Sequence, residues 1–355
     1  MQKPRAARRR IWRRLGQIVL GATALLILLG TAGGLWNLSV VHRLRKANPP
    51  PGRLYAVDGR RMHLYCTGEG SPIIVLEAGF GEDFTVWGKV QPALSSVTKV
   101  CSYDRAGFGW SETQPGIRDA NHVADELHGL LKEAGITEPL VLVGHSFGGI
   151  YIRDYASRFP HAVAGLVFVD ATSPAPAPMP VSMASLDKHS AFEFAIVRLL
   201  VDLGIARMTG SCDAVPPGFD TYAGWIKANT CVPAQVEAYR AAYEAQGISL
   251  VEASHADSFG DMRILVFSQD TQQSRPSILA GRVSAADWQA GMAAHDSEQE
   301  ALKKLSANSY RIIAKGSGHY IHFDRPELLI REVGTFVQRI REGTVDPQNG
   351  TTKLE

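Results

Sequence analysis

The chain has no acidic residue among its first fourteen positions, no charged residue at all from Leu15 to Trp36, and no internal repeat or low-complexity tract over its 355 residues. Each absence narrows the reading. Without low-complexity sequence, and with 45% hydrophobic and 20% charged residues, the composition is that of a globular protein with one large domain or two ordinary ones. A formal net charge of only +2 gives no argument for nucleic acid as a partner. The uncharged stretch LGQIVLGATALLILLGTAGGLW cannot be the surface helix of a soluble protein, which needs a polar face.

What flanks that stretch gives it a direction. Lys3, Arg5, Arg8, Arg9, Arg10, Arg13 and Arg14 precede it, and the chain without them is slightly acidic. About 20 apolar residues suffice for a helix to cross a bilayer. The arginines are expected to stay in the cytoplasm, sending the C-terminal bulk to the periplasm or the cell exterior. Trp12 and Trp36 fall where interfacial aromatics are useful. The expected organisation is a basic tail over 1–14, a transmembrane anchor over 15–36, a linker over 37–51 ending in PPP, a main domain over 52–343 and a tail over 344–355. A cleaved signal peptide is the alternative, since ATA and TAG offer small-residue cleavage sites. It would leave a secreted protein, but the stretch is longer than a usual signal core. Arg8-Arg9-Arg10-Ile11-Trp12-Arg13 also loosely resembles a twin-arginine export signal.

All these readings place the main domain in an oxidising compartment, where the four cysteines can pair. Cys212 and Cys231 share one polar, Pro- and Gly-containing segment and are expected to form a disulfide. Cys66 and Cys101 lie inside strand-like runs, LYCTG and KVCSYD, and read as buried free thiols.

Strands and helices alternate after the prolines. Residues 61–66, 72–76, 98–103, 139–143, 163–169, 263–267 and 310–314 read as strands. A helix carries Val123, Leu127, Leu130 and Leu131 on one face and stops at Gly135. Another follows over Ile150–Phe159. A last helix, from about Pro326 to Arg341, has Leu329, Val333, Phe336 and Ile340 as its inner stripe and Gly343 as its stop. This rhythm predicts an α/β fold with a mostly parallel sheet covered on both faces. Residues 171–261 break it. They begin SPAPAPMP, turn helical and very apolar, and are expected to cap the C-terminal ends of the strands.

The stretch VGHSFGG contains one G-x-S-x-G, from Gly144 through Ser146 to Gly148. The buried-strand run PLVLV precedes it and the helical run IYIRDYASRF follows it, the context of a nucleophile elbow. Ser146 is therefore the candidate nucleophile. A serine hydroxyl needs a base, and His319, in AKGSGHYIHFDRPE after the last strand, is the candidate; His322 is close enough in sequence to consider. The acid that orients the imidazole is Asp170, at the end of VAGLVFV, or alternatively Asp270, just beyond RILVF in FSQDTQQ. The oxyanion donors are expected to be the backbone N–H groups of Phe147 and of Phe80, the latter in the turn LEAGFGEDF.

Together these blocks resemble the α/β-hydrolase family over roughly residues 55–343. LEAGFG resembles the oxyanion turn, YDRAGFGWSE the arginine–glycine loop, GHSFGG the elbow and GSGHYIHFDRPE the histidine loop. The resemblance implies an eight-stranded sheet, a helical cap, and neither metal nor organic cofactor. It also makes the second and fourth strands neighbours, close enough for Cys66 and Cys101 to bond. The implied activity is cleavage of a carboxylic ester on a small-molecule or lipid-like substrate, with the membrane as partner through the N-terminal helix. Amide cleavage and peroxidase-type use of the same triad are alternatives. So is a non-catalytic binding protein on this fold, against which stands the presence of both Ser146 and His319.

Overall fold

The computed structural model describes residues 4–137, 139–174, 177–186, 188–279 and 281–355. Among them nine strands form one sheet: β1 (Arg53–Val57), β2 (Arg60–Thr67), β3 (Ile73–Glu77), β4 (Val100–Tyr103), β5 (Leu140–His145), β6 (Val163–Val169), β7 (Arg263–Gln269), β8 (Ser309–Ala314) and β9 (Thr352–Leu354). Their order is β1-β2-β4-β3-β5-β6-β7-β8-β9. The β1–β2 and β2–β4 pairs are antiparallel and every other pair is parallel.

The central strands are buried on both faces, which is why they are continuous apolar runs rather than alternating ones. Val75, Leu142, Phe168 and Val266 join a core with the helices Ala120–Glu133 and Gly148–Arg158. Their neighbours Ile74, Val141, Val167 and Leu265 face the other way, toward Trp87 and the final helix Pro326–Glu342. That helix ends, as expected, at Gly343 in the left-handed region (φ 65°).

The sheet has nine strands where eight were expected, and β1 precedes the first of the strands legible in the sequence. It forms a hairpin with β2 through Asp58 and Gly59, both at positive φ (48° and 78°), the geometry a two-residue turn needs to match strand twist. The expected C-terminal tail 344–355 is not a free tail, because its residues Thr352–Leu354 add β9 to β8. The expected linker 37–51 is also corrected. A single helix runs from Pro4 to Ala47, since Asn37–Ala47 contains no proline or glycine to stop it. This helix is long and apolar enough to cross a membrane by length and composition. Its C-terminal third packs on the cap: buried Asn37 donates from Nδ2 to the carbonyls of Val201 and Cys231. Arg45 donates to the carbonyls of Gly109 and Ala228.

The cap over 171–261 is helical, with main elements Ala191–Asp202, Ala223–Asn229, Pro233–Glu244 and Gln246–Ser254. Cys212 and Cys231 form the expected disulfide within it. Cys66 and Cys101 are not free thiols. They stand directly opposite each other on β2 and β4 and are bonded. Because the Cys212–Cys231 bond closes a cap loop with a sequence separation of 19, replacing both cysteines by serine should lower stability by about 2–4 kcal/mol. Urea unfolding of the full chain in detergent micelles reads this as a lower midpoint.

Candidate active site

β5 runs into Ser146, and a helix begins at Gly148. Ser146 sits at φ 52°, a region that is strained for a residue with a side chain. The turn is held in place around it. Ser146 N–H donates to Val169 O (3.1 Å), and Ser146 O accepts from Gly149 and Thr172 N–H (3.0 and 2.9 Å). The flanking glycines are sterically required. A Cβ on Gly144 would stand 2.8 Å from the Gly148 carbonyl carbon, and one on Gly148 would stand 2.7 Å from the carbonyl oxygens of Glu77 and Ala78. The helix so started turns its free N–H groups and positive dipole end toward the serine.

His319 lies in the loop after β8. Its Nδ1–H donates to Asp170 Oδ2 at 2.6 Å. Asp170 follows directly on β6, is buried, and also has positive φ (44°). Its second oxygen, Oδ1, accepts from Gln269 N–H (2.7 Å) and from His295 Nε2–H (2.8 Å). An ionised carboxylate only accepts, which fixes both histidines as donors here. Burial alone would push the Asp170 carboxyl up. The charge and hydrogen bond of His295, followed by those of His319, outweigh burial and hold it well below the usual carboxylate range. Burial likewise lowers the His295 imidazole, and Asp170 more than offsets that, leaving it raised.

Of the two candidate acids, Asp170 is the one whose carboxylate contacts His319. Asp270 does not reach His319. Its Oδ2 accepts from Gly316 N–H (2.9 Å) and its Oδ1 from Gln272 N–H (3.0 Å), while its own N–H donates to Ser317 O (3.0 Å). It fastens the loop that carries the histidine. His322 is buried against Trp87, with ring centroids 4.9 Å apart, and neither ring nitrogen has a partner among the described residues. Burial pushes its imidazole far down, so it is a neutral packing residue. His145, inside the elbow, supports the loop from below: Nε2 lies 3.2 Å from His319 O and Nδ1 lies 3.2 Å from Glu82 Oε2. His295 is not among the histidines that the sequence singles out. It sits mid-way along the helix Ala285–Lys303, with no motif around it.

Phe80 and Phe147 line the same cavity as Ser146, Asp170, His295 and His319, a space of about 630 Å³. Among the described residues, neither Phe80 N–H nor Phe147 N–H donates to a protein acceptor. The turn that carries Phe80 is held from behind by buried Arg105, which donates to Ala78 O (2.7 Å), to Gly79 O (2.6 Å) and to the Glu77 carboxylate. Gly79 N–H is taken up by Glu82 Oε2 at 2.7 Å. Ser146 Oγ and His319 share the cavity without a hydrogen bond between them. Such bonds often tighten only when substrate is bound. Among the described residues no cluster of three or more His, Cys, Asp or Glu is placed to hold a metal ion.

The sheet order, the elbow and the cap reproduce one known architecture, and a family model for the α/β-hydrolase fold matches residues 72–193. The chain has the α/β-hydrolase fold. An enol-lactonase from Burkholderia xenovorans superposes with a TM-score of 0.56 over 81% of this chain and 100% of its own, at 17% identity. An uncharacterized protein of Schizosaccharomyces pombe is 33% identical over 192 residues, 46% of this chain and 36% of that protein. A 2-hydroxy-6-oxo-2,4-heptadienoate hydrolase of Pseudomonas putida is 33% identical over 132 residues, 36% of this chain and 47% of the enzyme. This α/β-hydrolase-fold chain thus spans half or less of the curated relatives it matches.

Two outcomes follow from the site. Arg105→Met leaves the Glu77 carboxylate buried without its counter-ion and should cost about 3–5 kcal/mol of stability, measured by urea unfolding. The Asp170 carboxyl is held below its unfolded value, near 3.8. Its contribution is therefore complete above the unfolded value and is lost as pH falls toward the folded one. His295→Gln removes the leading cause of that depression. The slope of Tm against pH between about 4 and 2 should be shallower in the variant than in the natural protein.

Proposed function

We propose that this protein is a serine hydrolase that cleaves a carboxylic ester with Ser146 as nucleophile, His319 as base and Asp170 as the acid that orients it. The observation that carries the reading is the His319–Asp170 contact of 2.6 Å in a cavity that also holds a serine at positive φ. His319 Nε2 takes the Ser146 proton as Oγ attacks the ester carbonyl, and the resulting oxyanion accepts from the N–H groups of Phe80 and Phe147. His319 then protonates the leaving alcohol, and the acyl group stays on Ser146. A water that gives its proton to the same imidazole attacks the acyl-enzyme and releases the acid and the free serine. Asp170 stays ionised throughout. His295 acts through Asp170, keeping the carboxylate charged and fixed.

The same proposal includes the membrane. Residues 15–36 anchor the protein, with the arginines inside and the cap and sheet on the far side of the bilayer. The packing of Asn37 and Arg45 on the cap supports a helix retained as part of the folded protein rather than a leader that is removed. A lipid-like ester is the substrate class that suits such an enzyme.

A fluorophosphonate probe tests the chemistry. The natural protein should be labelled, and Ser146→Ala should not. Labelling of both to the same extent, or of neither, would remove the serine from the mechanism. Asp170→Asn should lower kcat/KM on p-nitrophenyl esters by roughly 10³–10⁴-fold, and Asp270→Asn by less than about tenfold, because it only loosens the loop. The reverse ranking would move the acid to Asp270.

A further inference from the structure

The cap helix Ala191–Asp202 has an unusual surface. Its stripe Phe192, Ile196, Leu199, Leu200 and Leu203 recurs at the spacing of one helical face. Phe192 is 72% exposed and Leu199 55%. The next turn, Ile205–Met208, continues this surface with Ile205 and Met208. The only covered end of the stripe is Leu203, and what covers it is the N-terminal helix. A Cβ on Gly33 would stand 2.2 Å from Leu203 O, one on Gly30 2.8 Å from Leu203 Cδ2, and one on Gly34 2.4 Å from Asp202 O. Glycines at this spacing let the two backbones touch. Gly30 lies six residues before Trp36, about 9 Å of helix rise at 1.5 Å per residue. The contact is thus inside the uncharged stretch Leu15–Trp36, and the exposed stripe is continuous with it. An amphipathic helix lying in a bilayer surface buries its apolar face about 5–10 Å deep, the depth at which this contact occurs.

Behind the stripe lies a second cavity of about 340 Å³, lined by Phe194, Val197, Val232, Val236, His189 and Tyr239 among others. His189 and Tyr239 also line the cavity of Ser146, and the Tyr239 ring stands 4.7 Å from that of Phe80. The two spaces therefore share a wall, formed by His189 and Tyr239 beside the turn that carries Phe80.

We propose that the cap helix Ala191–Asp202 and the turn Ile205–Met208 lie in the outer leaflet of the bilayer crossed by the N-terminal helix, and that the cavity behind them takes the hydrocarbon chain of an ester lipid from that leaflet. The leaflet is the occupant because the stripe runs without a break into the membrane-spanning surface. The chain-binding part rests on the serine hydrolase and anchor readings above, and the surface part rests only on the anchor.

The four native cysteines are paired, so an introduced cysteine can be spin-labelled alone in the full-length protein. In nanodiscs of phosphatidylcholine and phosphatidylglycerol, labels at Phe192→Cys and Leu199→Cys should be reached by oxygen and shielded from a water-soluble nickel chelate. A label at Lys132→Cys, on the exposed face of a sheet helix, should show the opposite. Equal nickel access at 192, 199 and 132 overturns the membrane seat. Shielding of 192 and 199 from both reagents also overturns it, in favour of a second copy of the chain.

Val197→Trp fills the rear cavity. It should lower kcat/KM for a long-chain p-nitrophenyl ester at least tenfold relative to the acetate. An equal fall on both esters overturns the chain-binding role. If the natural protein hydrolyses neither ester, the chain-binding role falls together with the hydrolase reading, and the spin labels still decide the membrane seat.

Discussion

Asp170 is a carboxylate with no access to water, and the geometry of the site is arranged around keeping it charged. An ion in that position is tolerated only when its oxygens are fully engaged. Its three partners come from three places in the chain: Gln269 at the end of β7, His295 on the helix Ala285–Lys303, and His319 beyond β8. None of these positions is set independently of the others. Moving the helix would take from Oδ1 one of its two donors, and moving the loop would free Oδ2. A single buried charge thus locks the C-terminal ends of β6, β7 and β8 into one arrangement, at the edge of the sheet where open α/β folds bind ligands.

The opposite requirement holds on the other side of the serine. Buried backbone N–H groups are almost always paired, yet those of Phe80 and Phe147 are free of protein acceptors among the described residues. The surrounding groups explain how they stay so. Arg105 occupies the carbonyls of Ala78 and Gly79, Glu82 takes the Gly79 N–H, and the elbow is pinned through Val169 and Thr172. These contacts leave the Phe80 and Phe147 N–H groups facing the cavity of Ser146 without a protein acceptor among the described residues. In the proposed chemistry, donors fixed in advance cost no reorganisation when the oxyanion forms.

The sequence made the central sheet and the elbow legible because both impose strong local rules. Continuous apolar runs mark strands buried twice over, and glycine is the residue that fits at 144 and 148. The outer strands obeyed weaker rules. β1 is largely exposed, so it lacks an apolar signature, although Asp58-Gly59 before an alternating run is a hairpin signal that could have found it. β9 is three residues long and has no pattern to read. Asp170 is legible as a candidate acid from its place at a strand end, and its carboxylate is the one in contact with His319. His295 could not be read at all, because nothing local distinguishes a histidine that meets a carboxylate 125 positions away. The extension of the N-terminal helix to Ala47 was obscured by the prolines just beyond it, which made the whole segment look like a linker.

That extension changes what the N-terminal helix is for. A flexible coil over residues 37–51 would let the folded domain wander by roughly 20 Å relative to the apolar span. A continuous helix whose Asn37 and Arg45 are hydrogen-bonded into the cap, and whose glycines admit the cap backbone at Leu203, removes that freedom. The cap is then held at one height and one rotation relative to the apolar span, and its exposed stripe is presented in the same direction every time. Asn37 would be a poor choice in a mere tether, because its amide is buried and must find partners. It finds them on the cap, at Val201, Cys231 and Arg207, so the segment that would anchor the protein is also one of the elements that shape the roof over the serine.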